Sequence, residues 1–200
     1  PETDTYSLVV KSRHQNIAGV QLDLLTHDSL PQQGPGCQPQ NGNLHLNEVR
    51  MQVLAEGEPR GVKLAQARAD FNQDGGWSIE KSIDGVAETA WGIHPETGKA
   101  HRAVFILAEP LRSPEGVTFK LELEQSHGRG HLIGRFRLTT ISESGIASPQ
   151  GEFLAADLVK SLGKPREERS DAEQAALTVA YLAPKWERDL AGLPPEQLVY

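Results

Sequence analysis

The chain has 200 residues, 38% of them hydrophobic and 24% charged, with a formal charge of −7. It is apolar enough to bury a core and lacks the basic excess that holds phosphate backbones, so nucleic acid is not an expected partner. No run approaches the roughly 18 apolar residues of a spanning helix, so no membrane insertion is expected, and the single cysteine, Cys37, excludes an internal disulfide and any cysteine-built zinc, iron–sulfur or covalent haem site.

The opening PETDTYSLVV enters a strand pattern almost at once and reads as the start of a segment from a longer protein, with any targeting signal outside it. Up to about Ser148, short β-patterned runs alternate with Gly, Pro, Asn and Asp clusters; they predict strands over 6–11, 17–25, 44–54, 63–71, 77–82, 103–107, 117–124 and 131–140. The run VTFKLELEQ is the cleanest, with Val117, Phe119, Leu121 and Leu123 on one face and Thr118, Lys120, Glu122 and Glu124 on the other, the mark of a sheet with one wet face. Two connections stand out. The polar, glycine-rich stretch 31–43, PQQGPGCQPQNGN, is of the kind that shapes a binding site or buttresses a metal loop, and IDGVAETAWGIHPETGKAH, 83–101, holds more chemistry than a plain turn requires.

Beyond Ser148 the pattern turns helical. A short helix is predicted around 152–162, then a turn at Pro165 and a longer helix opened by a capping box of Ser170 and Glu173. Its stripe of Ala176, Val179, Ala180 and Leu182 runs up to Pro184, which is expected to bend or end it, and Trp186 is expected to pack within this tail. Strands first and helices after argue for an antiparallel β-sandwich over 1–148 with a helical C-terminal extension over 149–200, rather than a parallel α/β sheet.

The segments DTYSLVV, IAGVQLDLLTHDSLPQQGPG, NGNLHLNEVRMQV, VKLAQARADFNQDGGWSIEKSIDGVAETAWGIHPETGKAHRAVF and VTFKLELEQSHGRGHLIGRFRLT resemble a module of large planctomycete surface or envelope proteins, where it lies between a cytochrome-c-like region and domains of unknown function. The resemblance covers most of the chain, helical tail included. It implies a galactose-binding-like (discoidin-like) jelly-roll, a fold shared by many carbohydrate-binding modules, within a secreted, periplasmic or cell-envelope protein. The chain departs from that family's pattern at Cys37 and Gln38, where arginine is usual, and at Leu44, where phenylalanine is usual.

The same resemblance implies a structural calcium site. In discoidin-like sandwiches the pattern I-D-G-x-x-x-T-x-W forms a calcium loop closed by a glutamate from a neighbouring strand, and the matching positions here are Asp84, Thr89 and, from HLNEV, Glu48. Calcium takes 6–8 hard oxygen ligands, and two carboxylates would nearly neutralise it. The alternative is a plain Asp-Gly turn capped by the threonine hydroxyl.

Candidate ligand contacts are Trp77, His94, His101, Arg129 and Arg135, while Trp91 is read as core. Arg135 and Arg137 share a strand face and either grip an acidic sugar or pair with carboxylates across the sheet. A zinc reading would gather His94, His101, His127 and His131, but their spacings match no helix-borne metal motif, and His101 reads instead as a structural hydrogen-bonding residue. No nucleophile elbow, His-Glu-x-x-His or phosphate loop occurs, so no enzyme is expected. The expected function is a non-catalytic, carbohydrate-binding-like module with one structural calcium, with a glycan and the neighbouring domains of its parent protein as partners. The alternative is a structural or protein-interaction domain with no glycan ligand.

Overall fold

The computed structural model describes residues 1–54, 58–143, 161–162 and 164–191. The chain divides into a unit of residues 1–146 and a second of residues 147–200. Alternating apolar positions draw the first unit into an antiparallel β-sandwich, the fold class expected. Its strands are β1 (Asp4–Ser12), β2 (Asn16–Leu24), β3 (His45–Leu46), β4 (Glu48–Val53), β5 (Arg60–Val62), β6 (Leu64–Ala69), β7 (Trp91–Gly92), β8 (His101–Arg112), β9 (Val117–Gln125) and β10 (Phe136–Ile141). One four-stranded sheet runs β1-β9-β4-β5, the other β10-β2-β8-β6, and β3 pairs with β7 as a short ribbon.

The strand β9 shows why the sandwich closes. Its odd-numbered residues from Val117 to Gln125 are buried and the even ones only partly so. Leu121 lies opposite Leu8 on one side and Met51 on the other, so the pairing register lines apolar rows across three strands. On the facing sheet Val20 lies opposite Phe105 and Leu22 opposite Ala103. Leu22, Leu24, Leu46, Trp91, Phe105, Phe119, Leu121 and Leu123, each at most 1% exposed, meet in this one core, and each such side chain contributes about 1.5–3 kcal/mol by leaving water.

The other face of β2 carries a buried acid. Asp23 is 4% exposed and accepts from Arg102 Nε at 2.8 Å on β8 and Arg137 Nη2 at 3.0 Å on β10, the residues directly opposite it on its two neighbours. Burial opposes ionisation of its carboxyl, but the bonds from Arg102, Gln21 and Arg137 outweigh it and hold the group below the usual range. Arg137 thus pairs across the sheet, whereas Arg135 Nη1 donates to the Thr26 carbonyl at 3.4 Å.

Several predicted boundaries change. The expected strand 77–82 is a 3-10 turn, Ile79–Ile83, because local side chains serve its backbone: Asn72 Oδ1 accepts from the Ile79 N–H at 2.8 Å, and Ser82 Oγ donates to the Ile79 carbonyl at 2.7 Å. The expected strand 44–54 breaks at Asn47 into β3 and β4, which pair with β7 and β9 respectively. The expected strand 131–140 narrows to β10, and 103–107 lengthens into β8.

In the second unit, α1 (Asp171–Ala191) starts at the expected capping box. The Ser170 N–H donates to Glu173 Oε2 at 2.8 Å and the Glu173 N–H to Ser170 Oγ at 3.3 Å. The helix does not end at Pro184 but continues to Ala191. Trp186, expected to pack, is 53% exposed, and Val179 and Tyr181 are exposed as well. The helix expected over 152–162 lies outside the described residues except for its last two positions, Ser161 and Leu162, which are helical.

Candidate functional site

The short stretch His45-Leu46-Asn47-Glu48 organises one end of the sandwich. All four residues are at most 4% exposed although three are polar, and buried polar groups persist only where they find partners. Glu48 Oε1 accepts the Gly85 N–H at 2.7 Å. Asn47 Nδ2 donates to the carbonyls of Ala87 (2.9 Å) and Thr89 (3.1 Å), and its Oδ1 accepts the N–H groups of Ser126 (2.9 Å) and His127 (3.2 Å). One side chain therefore ties the 84–89 loop to the turn that follows β9.

The 84–89 loop follows the 3-10 turn. Asp84 ends that turn and Gly85 takes φ +78°, where side chains are strained, so the backbone reverses there. Asp84 Oδ1 accepts the Val86 N–H at 3.0 Å. Around Thr89 Oγ1 lie the Val86 carbonyl at 2.9 Å, the Lys81 carbonyl at 3.2 Å, and the two Asp84 carboxylate oxygens at 2.9 and 3.1 Å. A hydroxyl has one proton to give, so this cluster has more oxygen acceptors than donors.

Charge sharpens the imbalance. Burial pushes the Glu48 carboxyl up, Asp84 and Glu124 push the same way, and the Gly85 N–H and Arg50 compensate only in part. Burial also opposes ionisation of Asp84, but bonds from the Val86 N–H, Thr89 and Lys81 overcome it and keep that group ionised. The Lys81 ammonium lies 3.5 Å from Asp84 Oδ2. The Thr89 hydroxyl, the Asp84 carboxylate and the carbonyls of Lys81 and Val86 are hard oxygens of the kind that calcium takes. Asp84 and Thr89 meet within the loop, and Glu48 contacts the same loop at the Gly85 N–H.

No protein-family model matches the chain, and comparison with curated proteins and with solved structures found no match either. Function is therefore read from the chemistry of this end of the molecule.

The expected ligand contacts are dispersed. Trp77 is half-buried, its ring stacked on His45 at 4.3 Å. Arg129 is exposed at φ +55° in the turn after β9, and His94 is exposed, its N–H donating to Gln73 Oε1 at 3.0 Å. His101 is 6% exposed and both its ring nitrogens are engaged, Nδ1 with Asp70 Oδ1 at 3.2 Å and Nε2 with the Glu96 carbonyl at 2.7 Å. It acts inside the fold and not as a ligand contact. Trp91 is fully buried, its indole N–H donating to the Phe71 carbonyl at 3.0 Å. A groove of about 940 Å3, lined by Lys11, Leu54, Arg60, Arg112, Glu115 and neighbours, has no aromatic ring in its wall.

His127 and His131 do converge, but with His45 rather than with His94 and His101. His45 was not among the expected histidines; it lies in the expected strand 44–54 between Leu44 and Leu46, so it points to the face opposite theirs. The turn 126–131 covers that face, and only the adjacent polar pair Asn47-Glu48 hinted that it was not open to water.

The His101 pair sets a pH dependence. Both partners are acceptors, so the ring donates from both nitrogens only as imidazolium. Burial resists that charge, but the bonds to Asp70 and the Glu96 carbonyl outweigh it and raise the group above its ordinary 6.5. The stabilisation is fully present below pH 6.5, the unfolded value, and is lost as pH rises through the higher folded value. Denaturant midpoints measured from pH 5.5 upward are expected to show this alkaline loss, with Asp70→Asn removing it; identical slopes for the two proteins would refute the pairing.

Proposed function

We propose that residues 1–146 are a non-catalytic binding module whose loop-bearing end is held by a calcium ion and whose ligand is a glycan, within a secreted, periplasmic or envelope protein. The observation that carries this reading is the oxygen cluster around Thr89, with Glu48 holding the adjacent Gly85 N–H from a separate strand. Bound calcium supplies positive charge that offsets the two carboxylates. The chain's own residues do the rest: Glu48 anchors the loop to β4, Asp84 and Thr89 gather its carbonyls, and Asn47 passes that order to the turn bearing His127 and Arg129. Trp77 stands edge-on to His127 at 5.2 Å, and the exposed Arg129 lies two residues further along the turn that bears His127. An indole face suits the apolar face of a pyranose, and guanidinium suits a sugar carboxylate or sulfate.

Calorimetry against neutral and acidic polysaccharides tests the ligand class. Saturable binding that Trp77→Ala weakens at least tenfold is expected; no heat with either class would overturn it. A second reading, a domain that docks on neighbouring parts of a larger protein, is favoured by the exposure of Val179, Tyr181 and Trp186 on α1 (57, 68 and 53%). It predicts a partner interaction that Trp186→Ser abolishes, with polysaccharides giving no signal.

A further inference from the structure

The three imidazoles of His45, His127 and His131 come from two distant parts of the chain, the first from β3 and the others from the turn after β9. Their ligand atoms all lie within 4.8 Å of one another. His45 is sandwiched between Trp77 and His131, at 4.3 Å from each ring, and His127 stands edge-on to it at 4.1 Å. As packing alone this is poorly chosen, since phenylalanine would fill the stack with no polar atoms to desolvate. His45 is 4% exposed; among the described residues its Nδ1 has no hydrogen-bond partner and its Nε2 has a 3.3 Å contact with Asn43 Nδ2.

The turn that carries the other two rings is anchored, and one ring has its tautomer set. His131 Nδ1 lies 2.9 Å from the Gly128 carbonyl and donates to it, which leaves the Nε2 lone pair free. Asn47 Oδ1 holds the N–H groups of Ser126 and His127, fixing the base of the turn. Burial and the two neighbouring imidazoles push His45 down to about 3, and burial with His131 and Arg129 lowers His127.

We infer that His45, His127 and His131 form a binding site for a divalent transition ion of the zinc class, separate in its ligands from the calcium loop. Imidazole nitrogen is a borderline-soft donor that suits zinc, nickel and copper, whereas calcium prefers oxygen. Tetrahedral zinc at roughly 2.0–2.1 Å from each nitrogen brings the nitrogens to about 3.4 Å from one another. A shared ion must also lie in the plane of every ligand ring, and the His45 and His131 planes are parallel to within 2°. Binding therefore turns the half-exposed His131 and the exposed His127 out of the stack and onto the ion, while the buried His45 stays against Trp77. The fourth position is left to solvent.

The test uses the full chain, stripped with chelator and dialysed against zinc alone. One equivalent bound in the micromolar range or tighter is expected. His127→Ala and His131→Ala should each weaken binding at least tenfold with unchanged far-ultraviolet circular dichroism, and His94→Ala should leave it unchanged. Copper should quench a tryptophan signal that Trp77→Phe removes. His45→Phe should fold and lose zinc; if it fails to fold, the two turn variants still decide. Zinc binding should persist in Asp84→Ala and in excess calcium, which separates this site from the calcium loop. No zinc uptake by the unaltered chain, or equal uptake by a His127→Ala, His131→Ala double variant, would overturn the inference.

Discussion

Replacing Asn47 by leucine is expected to lower the unfolding free energy by about 3–5 kcal/mol. The side chain is 1% exposed and its bonds all go to backbone groups, those of Ala87, Thr89, Ser126 and His127. Leucine has the same branched set of side-chain heavy atoms and is bulkier, so the loss is not a cavity effect; it comes mainly from stranding two carbonyls and two N–H groups. A stranded buried group costs about 1–3 kcal/mol, but Ser126 and His127 are exposed, so water recovers part of the total. Asn47→Asp keeps the acceptor oxygen and loses both donors, so it should fall between leucine and the unaltered chain. Urea melts measure both; a loss below about 1 kcal/mol for leucine would show that the two loops hold themselves without this residue.

Trp91→Ala is expected to cost about 3–5 kcal/mol, through the cavity left by a fully buried ring. Part of the loss is polar, because the indole N–H that serves the Phe71 carbonyl goes with the ring. Trp91→Phe separates the two effects: it keeps most of the packing, strands the carbonyl, and should cost about 1–3 kcal/mol. Alanine and phenylalanine variants of equal stability would mean that the ring fills little of the core. Denaturant unfolding of both variants supplies the comparison.

Where a face is set by strict alternation, the sequence announced it. The strand β9 appears at its expected place because Val117, Phe119, Leu121 and Leu123 cannot all face water. The start of α1 was equally plain, since a capping box is a local contact between residues three apart. By contrast, β5 and β7, three and two residues long, are too short to show a period. The 3-10 turn at Ile79–Ile83 depends on Asn72, seven residues upstream, which no periodic pattern reveals.

The candidate sites divide along the same line. Asp84 and Thr89 sit in one short motif, so their contact was locally legible, whereas Glu48 was joined to them only by the resemblance and contacts the loop at the Gly85 N–H. The histidine group was half legible: His127 and His131 stand four apart in one turn, but His45 joins them only because β3 pairs with β7 and the turn folds over it. Long-range pairing, not composition, decides which imidazoles meet.

Calcium removal tests the pinned rim most directly. An ion that binds only the folded chain at a hundredfold excess over its dissociation constant adds about 2.7 kcal/mol, or about 5–10 °C in melting temperature for a chain of this size. Melting in calcium and then in chelator should show that difference, and Asp84→Ala or Glu48→Gln should abolish it. Superimposable melts of the unaltered chain in calcium and in chelator would contradict a calcium-held loop and leave Asp84 and Thr89 as an ordinary turn.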